Sequence, residues 1–151
     1  MPSLIYGYGV TGKSFYRYLK RKSEEFEIYD TLQKDSSEIS SRIRDGFYKN
    51  IYVSPSVPKE EFKNLKKYST VITDMDIFFN EDDSTKIGIT GTNNKSTTCF
   101  HLKQLLDGEF TVNLVGNIGK PVLDVLNNGK KYSIIELSSF QLDKVSNVDL
   151  D

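Results

Sequence analysis

A lysine followed by two hydroxyl residues, Lys95, Ser96 and Thr97, closes the segment "GITGTNNKST" that begins at Gly88, and Thr98 follows it. An ammonium there can reach the β and γ phosphates of a nucleotide. Ser96 or Thr97 can offer a hydroxyl to Mg²⁺, and loop amides can cradle the phosphate oxygens. The common phosphate-loop pattern G-x-x-x-x-G-K-[ST] asks for glycine at 89 and 94, where this chain has Ile89 and Asn94. Asparagine tolerates φ > 0 better than other non-glycine residues, so a left-handed turn survives the exchange. A polar strand-to-helix loop with a capping Ser or Thr is the alternative reading of the same residues.

A second constellation lies near the N-terminus. "YGYGVTGKS" supplies Gly7, Gly9 and Gly12 in G-x-G-x-x-G spacing, and Asp30 closes the next apolar run, "FEIYD". Such glycines let the backbone approach an anion at the positive end of a helix, while a carboxylate about 20 residues on accepts hydrogen bonds from a ribose or a base. The chemistry suits NAD or FAD, another nucleotide, or a tight strand-to-helix turn that binds nothing.

The elements that must hold these residues are legible as short apolar runs at 3–6, 26–29, 50–53, 69–72, 86–90, 110–115 and 132–137. Between them, Phe15 and Leu19, then Phe62, Leu65 and Tyr68, then Cys99, Leu102, Leu105 and Leu106 recur at helical spacing as buried faces. "SSEISSR" (36–42) reads as a polar loop or short helix. The alternation predicts an α/β protein with parallel sheets, whose ligands collect at the carboxyl ends of the strands. The acidic stretch "FFNEDDST" (78–85) separates two strand-helix series, which places a boundary near 82 and gives units 1–82 and 83–151. The second unit then holds about three strands against the usual 5 to 6. The sequence is therefore expected to be a fragment whose sheet edge invites self-association.

Composition excludes several classes. Twenty basic and twenty-one acidic residues give a formal charge of -1, so no broad field favours nucleic acid or an anionic membrane. One cysteine rules out an internal disulfide and a cysteine-cluster zinc site. No apolar run approaches the roughly 18 residues of a membrane span. "MPSLIYGYG" lacks the basic-then-apolar order of a signal peptide. The expectation is a soluble, cytoplasmic protein.

Taken with its neighbours, "GITGTNNKST" resembles the ATP loop of the Mur ligases, ATP-dependent amide-forming enzymes of peptidoglycan synthesis, with Asn94 in place of the commoner glycine. "VGNIGKPVLD" (115–124) and "IIELSSFQLD" (134–143) are similar to motifs of the D-glutamate-adding branch, as are "VSPSVP" (53–58) and "ITDMDIFF" (72–79). The resemblance spans the whole chain. It implies a Rossmann-like domain that binds a UDP-substrate, followed by the start of a P-loop ATPase domain.

The residue roles come from that resemblance. Gly91, Thr92, Asn93, Asn94, Lys95, Ser96 and Thr97 would form the ATP loop, with Lys95 on the phosphates. Ser96 and Glu136 would hold Mg²⁺, for which a carboxylate is physically apt. Val10, Thr11, Asp30 and Thr31 become neighbours of uracil, Ser56 lies near the substrate diphosphate, and Asn117 and Ser138 touch the muramoyl substrate. Leu32 stands where the family often has arginine, and Ser56 where it has glycine. The implied small molecules are ATP, UDP-N-acetylmuramoyl-L-alanine and D-glutamate, and the fragment alone is expected to be inactive. Rival readings are a non-catalytic NAD-binding module, resting on Gly7, Gly9, Gly12 and Asp30, and a folylpolyglutamate-type ligase sharing the ATP loop. Single residues such as His101 and Cys99 read as helix surface and core.

Overall fold

Parallel strands covered on both faces tend to be apolar along their length, and the strands here are mostly apolar, with single polar residues such as Glu27, Lys86 and Asn113 among them. In a computed structural model, which describes residues 1–30, 37–146, 148 and 150, every expected run is a strand. They are β1 (Ser3–Tyr6), β2 (Phe26–Tyr29), β3 (Asn50–Val53), β4 (Thr70–Ile72), β5 (Thr85–Ile89), β6 (Val112–Gly116) and β7 (Tyr132–Glu136). The helices are α1 (Val10–Arg21), α2 (Ser37–Arg44), α3 (Lys59–Leu65), α4 (Asp74–Glu81), α5 (Lys95–Leu106) and the single turn α6 (Ser139–Leu142).

The chain divides into two compact units, Met1–Asp74 and Met75–Asp151. In the first, a parallel sheet runs in the order β2-β1-β3-β4. Its core gathers Leu4, Ile51, Val53, Phe62, Leu65 and Val71. Burial of each such side chain contributes about 1.5–3 kcal/mol. In the second, the parallel order is β5-β7-β6, so the last strand in sequence is the central one. Cys99, Val112 and Ile134 form its core, with Ile89, Leu102, Leu106 and Phe110 packed around them.

The acidic stretch lies in the second unit. The Asp82 carboxylate accepts from the Asn127 backbone N–H at 2.8 Å, the Asn127 amide donates to the Glu81 carbonyl at 2.7 Å, and the buried Lys86 ammonium donates to the Asp82 carbonyl at 2.8 Å. The contact division therefore falls ahead of the boundary expected near 82.

Other local expectations shift. The 36–42 segment forms the helix α2 from Ser37, tied to strand β2 by paired 2.8 Å bonds from the Arg42 guanidinium to the Glu27 carboxylate. Helix α4 was not expected. Met75, Ile77, Phe78 and Phe79 are all buried, so it has no one-sided stripe to detect. Tyr68 lies beyond the end of α3 and is 39% exposed. Leu105 is 78% exposed: at about 100° per residue it points about 120° away from the fully buried Cys99 and about 100° away from Leu106, at the outer edge of the stripe. Among the described residues no helix is long and apolar enough to cross a membrane.

Candidate functional site

Strand register builds the site in the second unit. Ile89 at the end of β5 and Gly116 at the end of β6 both pair with Glu136, the last residue of the central β7. The loop after β5, the turn after β6 and Glu136 therefore meet at one carboxyl edge, where ligands of parallel α/β sheets bind. The turn after β6 depends on glycine. Gly116 has φ +100°, and a Cβ there would lie 2.3 Å from the Glu136 carbonyl oxygen. The next residue uses that approach: the Asn117 backbone N–H donates to the same carbonyl at 3.0 Å.

Glu136 is 2% exposed, and a buried carboxylate is tolerable only when hydrogen-bonded. Ser96 Oγ donates to Glu136 Oε2 at 2.7 Å, and Asn117 Nδ2 donates to Oε1 at 3.0 Å. Such charge-assisted bonds are stronger than neutral ones. The fully buried Cys99 lies in the field of this carboxylate. Burial first, and the Glu136 charge second, push its thiol pKa up, which makes it an inert core residue.

Between β5 and α5 the loop residues Gly91, Thr92, Asn93 and Asn94 are exposed. Asn94 adopts the left-handed conformation, φ 61° and ψ 13°, as anticipated for a non-glycine residue at that turn. It makes no side-chain cap, and the first turn of α5 has no acidic residue. The positive end of the helix therefore has no carboxylate of its own to offset it. Lys95 folds back so that Nζ donates to the Gly91 carbonyl at 2.8 Å. Thr97 is exposed, while the Thr98 hydroxyl bonds back to the Asn94 carbonyl at 2.9 Å.

Ser138 is engaged differently. It caps α6 in a reciprocal box: its Oγ accepts from the Gln141 N–H at 3.2 Å, and its own N–H donates to Gln141 Oε1 at 2.9 Å. The S-x-x-Q spacing of Ser138 and Gln141 is the local signature of such a box. The Asn117 to Glu136 link has no local signature at all.

Among the described residues there is no group of three or more His, Cys, Asp or Glu that could enclose a metal. The site's own donors are the Ser96 hydroxyl and the Glu136 carboxylate. Hard oxygens of this kind suit Mg²⁺, which takes one or two protein carboxylates and completes its shell with phosphate oxygens and water.

The first unit holds its own turn. Gly12 packs so closely that a Cβ would lie 2.1 Å from the Gly7 carbonyl oxygen, while a Cβ at Gly9 would meet nothing within 4 Å. One glycine closes the helix onto the strand, and the other leaves the backbone open to an approaching group. Val10 is 72% exposed, Thr11 and Asp30 are half-buried, and Ser56 is exposed beyond β3. These stand at the carboxyl edge of β1, β2 and β3. Thr31 and Leu32 lie outside the described residues. His101 is exposed on α5.

No protein-family model matches the chain. Curated proteins do. The UDP-N-acetylmuramoylalanine–D-glutamate ligase of Francisella tularensis subsp. novicida is 37% identical over 158 residues, covering 98% of this chain and 36% of the relative. That of Francisella philomiragia is 35% identical with the same two shares, and that of Saccharophagus degradans is 34% identical, covering 99% of this chain and 38% of the relative. The chain thus spans little more than a third of the length of these relatives.

Proposed function

The chain belongs with the D-glutamate-adding ligases of the Mur family, and from that membership we propose that it carries the ATP loop and the uridine-binding unit of an amide-forming ligase of peptidoglycan synthesis. In the whole protein's reaction, the alanine carboxylate of UDP-N-acetylmuramoyl-L-alanine attacks the γ phosphorus of ATP, forming an acyl phosphate and releasing ADP. The amine of D-glutamate then attacks the acyl carbon, and the C–O bond to phosphate breaks as the amide forms.

The observation that carries the reading is Glu136, a buried carboxylate bonded by Ser96 beneath an uncapped loop-helix turn bearing Lys95. The loop amides and the Lys95 ammonium offset the negative charge that spreads over the transferred phosphoryl group. Ser96 and Glu136 are the residues that would hold Mg²⁺, which when bound neutralises phosphate oxygens. Val10, Thr11, Asp30 and Thr31 serve the uracil, Ser56 the diphosphate, and Asn117 and Ser138 neighbour the muramoyl substrate. ATP as co-substrate supports the reading that the protein works in the cytoplasm, and the single buried cysteine is compatible with it.

Titration of the chain by calorimetry and amide NMR tests both units. Lys95→Ala should weaken Mg-ATP binding more than tenfold, about 1.4 kcal/mol. Unchanged affinity would remove the loop from the nucleotide site. The open backbone at Gly9 also supports a second reading, a dinucleotide on the first turn. UDP should shift the Gly9 and Thr11 amides saturably while NAD does not; the reverse result favours that second reading.

A further inference from the structure

We infer that Asn117 is a positioning residue for Glu136, holding its carboxylate in the orientation in which it shares a divalent cation with the loop hydroxyl. The inference rests on reading the loop as a metal-nucleotide site, and it gives Asn117 a role that acts through another side chain.

The last torsion of a glutamate is broad, so one hydrogen bond to one oxygen leaves the carboxylate plane poorly defined. Ser96 holds only Oε2. Asn117 holds Oε1 at 3.0 Å, and its backbone N–H holds the carbonyl of the same glutamate at 3.0 Å. Two bonds from one residue to another fix their relative placement. The turn that presents Asn117 is itself tied down. Val115 and Lys120 form a bridge, and the Lys120 N–H donates to the Leu114 carbonyl at 3.2 Å.

The side-chain type also fits the task. A carboxamide donates to a carboxylate without bringing charge, so it neither competes for a cation as an acid would nor repels it as a lysine would. Residues that orient metal ligands from behind commonly change metal affinity 10- to 100-fold when removed.

The test is Mn²⁺ binding to the full chain with adenylyl imidodiphosphate present, followed by the electron paramagnetic resonance signal of free Mn²⁺. Asn117 is exposed and has no positive φ, so alanine fits its backbone. Asn117→Ala should weaken Mn²⁺ about tenfold while the chain keeps its folded circular dichroism spectrum. Asn117→Gln, which keeps a donating amide, should recover part of the loss. In a Glu136→Gln background, Asn117→Ala should add nothing, since a residue acting through another is non-additive with it.

Wild-type Mn²⁺ affinity in Asn117→Ala, an equal loss in Asn117→Gln, or a full further loss in the Glu136→Gln background would each overturn the inference. Failure of the unsubstituted chain to bind Mn²⁺ with the nucleotide is a different result. It appears before any substitution, and it sinks the functional reading together with the inference.

Discussion

The two strand-turn-helix junctions solve one problem in different ways. Both α1 and α5 begin without a side-chain cap and without an acidic residue in the first turn, so each leaves its positive end open. The first junction makes room by omission: Gly12 brings the helix against the strand, and Gly9 leaves the backbone bare. The second keeps side chains and arranges them. Asn94 takes the left-handed turn, Lys95 lies over the loop, and Ser96 reaches Glu136. Close packing alone suffices where a ligand is only held. On the proposed reading, in which the second turn serves phosphoryl transfer, charges must be positioned as well.

The sharpest way to break this contrast is Gly12→Ala. The added methyl would have to occupy space 2.1 Å from a backbone oxygen that cannot swing aside. A loss of about 3 kcal/mol is expected, read as a lower urea midpoint for the first unit. An unchanged midpoint would mean that the close approach is not needed.

Alkali should act next on both units, through different groups. In the first, the Tyr6 hydroxyl donates to Glu61 and the Tyr48 hydroxyl to Glu27, and burial followed by those carboxylates pushes both phenols up from 10.0. A raised folded-state pKa means the fold favours the protonated phenol. That stabilisation is complete below about pH 10 and is lost as pH rises toward the folded-state values. In the second unit the raised thiol of Cys99 acts in the same direction from 9.0 upward. Hydrogen exchange at pH 7 and 10.5 should show first-unit protection falling, with Tyr48→Phe reducing the fall. Equal loss in Tyr48→Phe would assign it elsewhere.

The smallest effect sharpens the comparison at the second turn. Asn94→Gly should change stability by less than about 1 kcal/mol and leave Mg-ATP affinity within about twofold, because the position demands a conformation and not a functional group. A large loss of affinity, measured by calorimetry, would show that the Asn94 side chain touches the nucleotide.

Much of this was visible in the sequence, for local reasons. A buried parallel strand is mostly apolar, a glycine or asparagine best fits a position where φ is positive, and a phosphate loop must follow a strand and open a helix. The seven runs and the loop at 88–98 obey these rules one by one. Helix α4 escaped because its apolar residues spread over more than half of its circumference, and Leu105 misled because three-and-four spacing alone does not say which edge of a stripe meets the sheet.

By itself, then, the sequence determined the strands, both turns and the residue types that can carry phosphate chemistry, since each is set by neighbours along the chain. Only the tertiary structure decided that Ser96, Asn117 and Glu136 share one carboxylate. Ser96 opens the helix after β5, Asn117 follows β6 and Glu136 ends β7, and what unites them is the order β5-β7-β6 with Ile89 and Gly116 in register with Glu136. Register is a property of paired strands, fixed by hydrogen bonds between segments far apart in the chain, and no local pattern encodes it.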